Sequence, residues 1–161
     1  MRTLFLLAAS CAYGQFVPAS YNVPESYTAK TFQLKPLGPE LAKHDYDAYM
    51  SSIEHLHKTF SPGGRWPNDK ITMADALKDV EGEIARFRAR RSFTYAVLSL
   101  DGTRELGCVY ISPSRKDGYD AAVRLWVTKA EFEKGLQPLL LGEVKAWLAK
   151  SWPFKNVLYP N

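Results

Sequence analysis

Cysteine is scarce in this sequence, which contains only Cys11 and Cys108 among 161 residues. Two cysteines cannot build the disulfide framework that supports many small secreted domains. Cys108 lies in an apolar run between Gly107 and Val109, a setting that favours a small buried core residue. No His and Asp arrangement accompanies it, so the sequence does not indicate a cysteine nucleophile.

Histidine is nearly as rare, with His44, His55 and His57. On a helix, residues two positions apart point in different directions, so His55 and His57 would not share a ligand. Neither an HExxH nor a CxxC pattern accompanies them. We therefore expect no metal.

Long apolar runs and dense charge are also lacking. The apolar run 4–9 is too short to span a bilayer, and no second candidate follows it. The net charge is +4 with dispersed basic residues, apart from one cluster at Arg86, Arg88, Arg90 and Arg91. Such a cluster suits the last turn of a helix, where cations complement the dipole. We expect neither a nucleic-acid partner nor a stable membrane span.

The first fifteen residues follow the order of a secretory signal peptide. Arg2 precedes the apolar run, and small residues follow at 10–12. We expect residues 1–14 to be a signal peptide, with an N-terminal extension packed on the domain as the alternative. Residues 15–30 contain Pro18 and Pro24 and predict an extended arm. Residues 31–161 are long enough for a single domain.

Three helices are predicted, with one strand before the first helix and a short strand after the last. Residues 31–37 alternate as a strand, and a helix follows from Pro39 to about residue 60. Thr72 and Asp75 form a capping box for a second helix that ends near Arg90. Its apolar stripe, which we expect to face the core, is Met73, Leu77, Val80, Ile84 and Phe87. A third helix begins at Leu136, and a short strand covers 156–159.

Three consecutive strands, 93–100, 105–112 and 122–128, lie between the second and third helices. Asp101-Gly102 joins the first two and favours a tight hairpin turn. The order of elements indicates an α/β (α+β) domain in which helices cover both faces of a mixed sheet.

This order, together with three motifs, resembles the GNAT (Gcn5-related N-acetyltransferase) superfamily. The motifs are LGCVYI after the DG hairpin, RLWV followed by a turn and a helix, and the closing WPF-x-x-VLYP. The last is similar to a small, divergent bacterial branch. The resemblance covers about residues 31–161 and implies a GNAT-like, mostly antiparallel central sheet with helices on both faces.

The resemblance also implies acetyl-CoA as co-substrate. Backbone groups of one strand would pair with the pantetheine arm, and amides at the start of the last helix would meet the pyrophosphate. The positions that match are Leu125, Trp126 and Val127 on the strand, and Lys134, Gly135 and Leu136 at the helix.

The loop before that helix departs from the family pattern. The family places Gln or Arg, two residues, Gly, one residue and then Gly or Ala. Here Phe132 replaces the first polar residue, Gly135 is kept, and Gln137 replaces the last small residue. Pro138 also removes one amide donor.

Three residues are candidates for the acid and base of amine acetylation. Glu54 lies on the first helix, with a solvated helix charge as the alternative. Asp120 precedes the central strand, with a turn-stabilising role as the alternative. Tyr159 follows the last strand and would protonate a thiolate, with an ordinary strand aromatic as the alternative.

We therefore expect an acyl-CoA-dependent N-acyltransferase that transfers acetyl to an amine of a small molecule or peptide. The alternative is a catalytically inactive GNAT-fold ligand-binding or interaction module, exported if the N-terminus is a signal. Export would place the protein in the periplasm or outside the cell, whereas use of acetyl-CoA would imply the cytoplasm. An incomplete sheet edge is also compatible with a homodimer.

Overall fold

The computed structural model describes residues 16–160. The predicted signal peptide 1–14 and Cys11 lie outside these residues, and part of the predicted domain organisation therefore stays a prediction. The strands are β1 Tyr27–Thr28, β2 Gln33–Pro36, β3 Phe93–Leu98, β4 Glu105–Pro113, β5 Ala121–Val127 and β6 Val157–Leu158. The helices are α1 Ala42–Met50, α2 Ile53–Thr59, α3 Met73–Arg88, α4 Lys129–Glu133 and α5 Leu136–Ser151.

The strands form one six-stranded sheet in the order β1-β2-β3-β4-β5-β6. Neighbouring strands are antiparallel except β5 and β6, which are parallel. The predicted fold class, a mixed and mostly antiparallel sheet with helices on both faces, is confirmed. None of the helices described within residues 16–160 has the length and apolar character needed to cross a membrane.

The β3–β4 hairpin shows why Asp101-Gly102 is informative. Gly102 adopts φ 72°, in the left-handed region that favours glycine. One carboxylate oxygen of Asp101 accepts hydrogen bonds from Ser99 Oγ at 2.6 Å and from the backbone N–H of Thr103 at 3.0 Å. The turn is therefore fixed by its own side chains.

The predicted first helix is interrupted. A single 3-10 turn, Pro39–Leu41, leads into α1, and α2 begins only after Ser51 and Ser52. Ser51 Oγ donates to the carbonyl oxygen of Ala48 at 2.7 Å. Serine side chains that bond to nearby carbonyls compete with the helical pattern, which accounts for a break at this pair.

The capping box of α3 is confirmed, because Thr72 Oγ1 accepts from the N–H of Asp75 while the Asp75 carboxylate accepts from the N–H of Thr72. The prediction that the apolar stripe of this helix faces the core throughout is wrong at its start. Met73 and Leu77 are 36% and 40% exposed, whereas Ala76 and Val80 are buried. The buried residues of α3 are Val80, which belongs to the stripe, and Ala76, which does not. A small alanine therefore lies in the core at the start of the helix, where the stripe predicts Met73 and Leu77.

Two apolar cores lie on opposite faces of the sheet. One, which we call the aromatic face, packs α5 and the arm against side chains that include Phe93, Tyr95, Trp147 and Trp152. The other packs α1, α2 and α3 against Ala96, Leu98, Cys108 and Trp126. Because this second core also buries Asp45 and Glu105, we call it the acidic face.

Gly107 lets β4 and β5 approach closely where both cores meet the same strand. It pairs with Val127, and a Cβ built on it would lie 2.0 Å from the carbonyl oxygen of Trp126. Any larger residue at this position would push the two strands apart.

Candidate functional site

β6 is a two-residue strand that pairs in parallel with the beginning of β5. Only Ala121↔Val157 and Ala122↔Leu158 pair, whereas β5 continues to Val127 and pairs with β4 along its whole length. The two strands therefore share only the first two residues of β5. Beyond that point β5 borders a region that β6 does not fill.

The strand residues predicted to bind cofactor lie in this second half of β5. Leu125, Trp126 and Val127 are at most 2% exposed. The indole Nε1 of Trp126 donates to the hydroxyl oxygen of Tyr110 at 3.1 Å, which fixes the ring against β4. The side chains of all three residues are therefore withdrawn from solvent.

Gly135 begins α5 in a left-handed conformation, with φ 81°. Nothing lies within 4 Å of the Cβ that another residue would carry there. Its N–H donates to the carbonyl oxygen of Phe132 at 2.9 Å, which turns the chain from α4 into α5. The start of α5 is therefore open on the side of the glycine.

The charges beside this helix start are partly neutralised. Lys134 Nζ contacts the Glu131 carboxylate at 2.9 Å, and Arg104 contacts the same oxygen at 3.4 Å. Glu131 is buried in the first turn of α4, where its N–H donates to Oγ1 of the capping residue Thr128. Lys134 is consequently held by Glu131, while Glu131 repels a nearby anion less than a lone carboxylate would.

Phe132 and Gln137, the two departures from the family loop, occupy different positions. Phe132 is 43% exposed and packs against the imidazole of His55, with ring centroids 4.8 Å apart. The Oε1 atom of Gln137 is buried and has no hydrogen-bond partner among residues 16–160. Phe132 therefore covers α2 rather than filling the region beside β5.

His55 holds α2 over the end of β5. Desolvation lowers the pKa of this imidazole, while a hydrogen bond to the backbone of Val127 acts in the opposite direction. Its neutral form therefore dominates at neutral pH, and α2 is fixed to the strand next to the proposed cofactor edge.

The three predicted catalytic residues lie on separate elements. Glu54 is exposed on α2. Tyr159 follows β6, and burial raises the pKa of its hydroxyl. Lys145 Nζ lies 4.9 Å from the centroid of the Tyr159 ring. The structure does not gather these side chains with Asp120 around any of the five cavities described for residues 16–160.

Asp120 stabilises the chain before β6. Its Oδ2 atom accepts hydrogen bonds from the backbone N–H groups of Lys155 at 2.7 Å and Asn156 at 2.9 Å. These bonds lower the pKa of the carboxyl. A lowered pKa makes a weak base, so the contacts support the turn-stabilising alternative, although they do not test catalysis.

Two adjoining cavities on the acidic face form what we call the polar cleft. Their volumes are about 240 Å³ and 370 Å³, and they share Trp66, Glu83, Arg86 and Tyr110. Arg124 of β5 lines the second cavity. The largest of the five described cavities, about 570 Å³, lies elsewhere, between the arm and α3.

Polar groups in the cleft hold one another in place. The Glu83 carboxylate accepts from Thr94 Oγ1 at 2.5 Å and from Arg86 at 2.5 Å. Arg124 donates to the carbonyl oxygen of Phe60 and lies over the Phe60 ring. The cleft thus combines a fixed carboxylate, two guanidinium groups and an aromatic wall.

Solved acetyltransferases share this architecture at low sequence identity. A ribosomal-protein-S5-alanine acetyltransferase from Vibrio fischeri is 14% identical with a TM-score of 0.62, covering 86% of this chain and 73% of its own. RimL, an alpha-N-acetyltransferase of ribosomal protein L7/L12 solved with coenzyme A, is 13% identical with a TM-score of 0.63, covering 83% and 72%. No protein-family model and no curated protein matches the sequence.

The chain has the GNAT fold. Within this GNAT fold, the parallel β5–β6 pair and the start of α5 fall where the sequence motifs RLWV and WPF-x-x-VLYP predict them. A third neighbour from Salmonella typhimurium, which modifies the N-terminal serine of L7/L12, is 12% identical with a TM-score of 0.62 and covers 84% and 74%.

Sequence reasoning missed the polar side chains on the acidic face of this GNAT fold. Two signals were present. Glu105 opens the strand ELGCVYI, where it is the one charged residue in an apolar run. Asp45 lies four residues before Tyr49, on the face of α1 that is otherwise apolar. An acid at a core position of either element points to a specific role.

Proposed function

We propose that this protein is an acyl-CoA-dependent N-acyltransferase that transfers acetyl from acetyl-CoA to an amine of a small molecule or peptide. The observation that carries the proposal is that β6 pairs with only the first two residues of β5, while the rest of β5 leads to the open start of α5. β5 also supplies Arg124 to the polar cleft. One strand therefore borders both proposed substrate sites.

Solved neighbours support the same reading. The RimL structure contains coenzyme A, and the neighbours from Vibrio fischeri and Salmonella typhimurium act on an alanine and an N-terminal serine of ribosomal proteins, as their names state. We infer that the present chain acts on an amine, without assigning it a ribosomal substrate.

The proposed cofactor site fits its ligand in part. As the sequence predicts, pantetheine would lie along the backbone of Leu125, Trp126 and Val127, where it would compete with the contact of His55 to Val127. The first amides of α5 would bind pyrophosphate beside Gly135 and Leu136. The open space at Gly135 favours close approach of an anion. Lys134 adds a cation only if it leaves Glu131. Acetyl-CoA would supply an activated thioester.

The polar cleft is the proposed acceptor site. Glu83 places a carboxylate on the cleft wall that could accept a hydrogen bond from the amine, and its charge is balanced by Arg86. Trp66 and Phe60 would exclude water from the apolar part of the acceptor. Glu54 and Asp120 stay candidates for the base, but neither lines this cleft.

Two tyrosines are candidates for the acid that protonates the leaving thiolate. Burial raises the pKa of Tyr159 and of Tyr110, so both hydroxyls stay protonated at neutral pH. Tyr110 lines the cleft, whereas Tyr159 follows β6. Tyr110→Phe and Tyr159→Phe separate them, because only the acid's variant should lower kcat with little change in KM.

Acetyl-CoA binding is the first test. Calorimetric titration and thermal unfolding with millimolar acetyl-CoA should show heat and a raised Tm, since a ligand that binds only the folded state stabilises it. Gly135→Glu should abolish both. Gly118→Glu is the matched control, because Gly118 has φ 84° and equally open surroundings but lies in the β4–β5 loop.

Equal loss in both glycine variants, or no binding by the wild type, would contradict the cofactor site. Binding without release of coenzyme A across a panel of peptides with free N-termini and small amines would instead favour the inactive binding module. A homodimer stays a prediction that sedimentation of the same sample checks.

A further inference from the structure

A buried cluster on the acidic face joins α1 to β4. One carboxylate oxygen of Asp45, one of Glu105 and the Sγ atom of Cys108 all lie within 4.8 Å of one another. Asp45 is 6% exposed, Glu105 is 7% exposed and Cys108 is fully buried. All three side chains are therefore withdrawn from bulk water.

The carboxylates of this cluster lack the partners that burial demands. No donor from the rest of residues 16–160 reaches Asp45 Oδ1 or either oxygen of Glu105. The contact that the two carboxyls make is with each other, and it acts to lower the pKa of Asp45 and to raise that of Glu105, as expected when two acids share a proton. Leaving a buried acceptor unsatisfied costs about 1–3 kcal/mol, and more for a charged group. A cation that replaces the shared proton would satisfy these oxygens together with the thiol.

The electrostatic surroundings also favour a cation. Burial raises the pKa of Asp45 to about 6 and that of Glu105 well above its ordinary value. The charged neighbours that raise these values further are acidic, with Glu83 and Asp79 acting on Asp45. Lys78 and Arg86 line the adjoining cavity, and Arg86 is paired with Glu83.

We propose that Asp45, Glu105 and Cys108 bind a divalent metal ion of the zinc class. The convergence of a thiol and unpartnered, buried carboxylate oxygens within 4.8 Å carries this inference. It departs from the expectation of no metal, which rested on short-range motifs. Asp45 precedes Glu105 by 60 residues, and Cys108 lies on the same strand as Glu105. The three side chains come together only because α1 packs on β4.

The donor set selects the kind of metal. Thiolate sulfur favours Zn²⁺ and similar borderline ions, whereas Mg²⁺ and Ca²⁺ prefer oxygen alone. Binding requires the deprotonated thiol and carboxylates, so the protons on Cys108 and on the carboxyl pair leave for solvent as the metal enters. No oxidant or reductant takes part.

A tetrahedral zinc site needs a fourth ligand. The Nδ1 atom of His44 is buried without a partner among residues 16–160, and His44 lines a cavity with Glu105. This nitrogen is not among the ligand atoms that converge within 4.8 Å, so a water molecule would complete the site. The three-residue core of the proposal does not depend on this fourth ligand.

Metal content and cobalt spectroscopy test the proposal on the full chain. The purified protein should contain or take up one equivalent of Zn²⁺, and removal of zinc by a chelator should lower Tm. One equivalent of Co²⁺ should produce a thiolate-to-metal absorption band, because Cys108 is a ligand. Affinity should rise with pH as protons are released.

Variants assign the ligands. Asp45→Asn, Glu105→Gln and Cys108→Ala should each lose stoichiometric binding. Asp45→Asn and Glu105→Gln keep the side-chain shape and remove a charge that lacks a partner, so they are expected to stay folded by circular dichroism. Cys11→Ser and Glu81→Gln are controls for the other thiol and for an exposed helix acid, and both should retain binding.

Wild-type protein that takes up neither ion and shows no change of Tm with zinc or chelator would overturn the proposal. Binding without the thiolate band, or binding retained in all three ligand variants, would overturn it as well. These readouts do not involve acetyl-CoA, so they stand apart from the test of acyl transfer.

Discussion

The two faces of the sheet bury their side chains in different ways. On the aromatic face, Trp152 packs against Phe93, Tyr95 and Trp147 with ring centroids 5.0–6.3 Å apart. On the acidic face, Asp45 of α1 and Glu105 of β4 are buried with three carboxylate oxygens that no other group among residues 16–160 reaches. The aromatic face also buries one unpartnered atom, Trp152 Nε1, but its contacts are between rings, whereas the acidic face buries ionisable groups.

The proposed binding sites are not distributed equally between the two faces. The polar cleft and the proposed metal site both lie on the acidic face, and the proposed cofactor edge runs along β5 between the faces. A change on the aromatic face should therefore act through folding, while a change on the acidic face should affect binding first.

The largest expected effect is on the aromatic face. Trp152→Ala removes a ring that is 6% exposed and contacts four other aromatic rings besides Tyr21. We expect a loss of about 3–5 kcal/mol in the free energy of unfolding, measured with urea. Leu139→Ala, at a residue of α5 that is 58% exposed, is the control and should change little. Equal losses in the two variants would contradict the difference expected between the buried ring at the end of α5 and the exposed leucine on that helix.

Gly107→Ala tests the strand that both faces share. The added methyl group would lie against the backbone of Trp126, so we expect a loss of about 1–3 kcal/mol by urea unfolding. Gly142→Ala is the matched control, because nothing lies within 4 Å of a Cβ there and alanine favours a helix. It should stabilise by up to about 1 kcal/mol. A stabilising Gly107→Ala would show that β4 and β5 are not tightly apposed.

Glu105→Gln should have the opposite sign in metal-free protein. The folded state holds the Glu105 proton above the ordinary pKa of 4.5, whereas the unfolded state has released it. The stability of the wild type therefore falls as pH rises above 4.5, and the glutamine variant lacks this loss. We expect a gain in the free energy of unfolding at neutral pH, which disappears in acid.

Urea unfolding at several pH values in the presence of a chelator measures this difference. A Glu105→Gln variant that is less stable than the wild type at every pH would contradict the account of an unpartnered carboxylate. Glu54→Gln, an exposed helix acid, should show no such trend.

Asp120→Asn should give the smallest effect and the reverse pH dependence. Two backbone N–H groups lower the pKa of this exposed carboxyl, so its contribution is present above the ordinary value of 3.8 and is lost as pH falls through the lower folded value. We expect a slight loss of Tm at neutral pH and none in strong acid. A large loss of kcat without any change of Tm would restore the catalytic interpretation.

The order of the main elements along the chain was predictable because their signals are local. Asp101-Gly102 specifies the hairpin, Thr72 and Asp75 specify the start of α3, and Gly135 marks the turn into α5. Each signal lies within a few residues of the structure it determines. The break at Ser51-Ser52 was missed because serine weakens a helix only slightly and tertiary packing decides.

The candidate site was less accessible to sequence reasoning. Arg124 meets Phe60, and Asp45 meets Glu105, only through packing between elements far apart in the chain. A single sequence without relatives contains no direct signal for such pairs. The acids at core positions of α1 and β4 show that something is needed there, but the partner is visible only in three dimensions.

Near the start of the described chain, the ring of Phe16 lies 4.7 Å from that of Phe154 and 5.9 Å from that of Phe93. The N–H of Phe16 also donates to the carbonyl oxygen of Arg90. A tag, truncation or fusion that displaces this phenylalanine would therefore remove a ring contact from Phe154, which lies in the segment leading into β6. Expression designs should leave it untouched when β5 and β6 are under study.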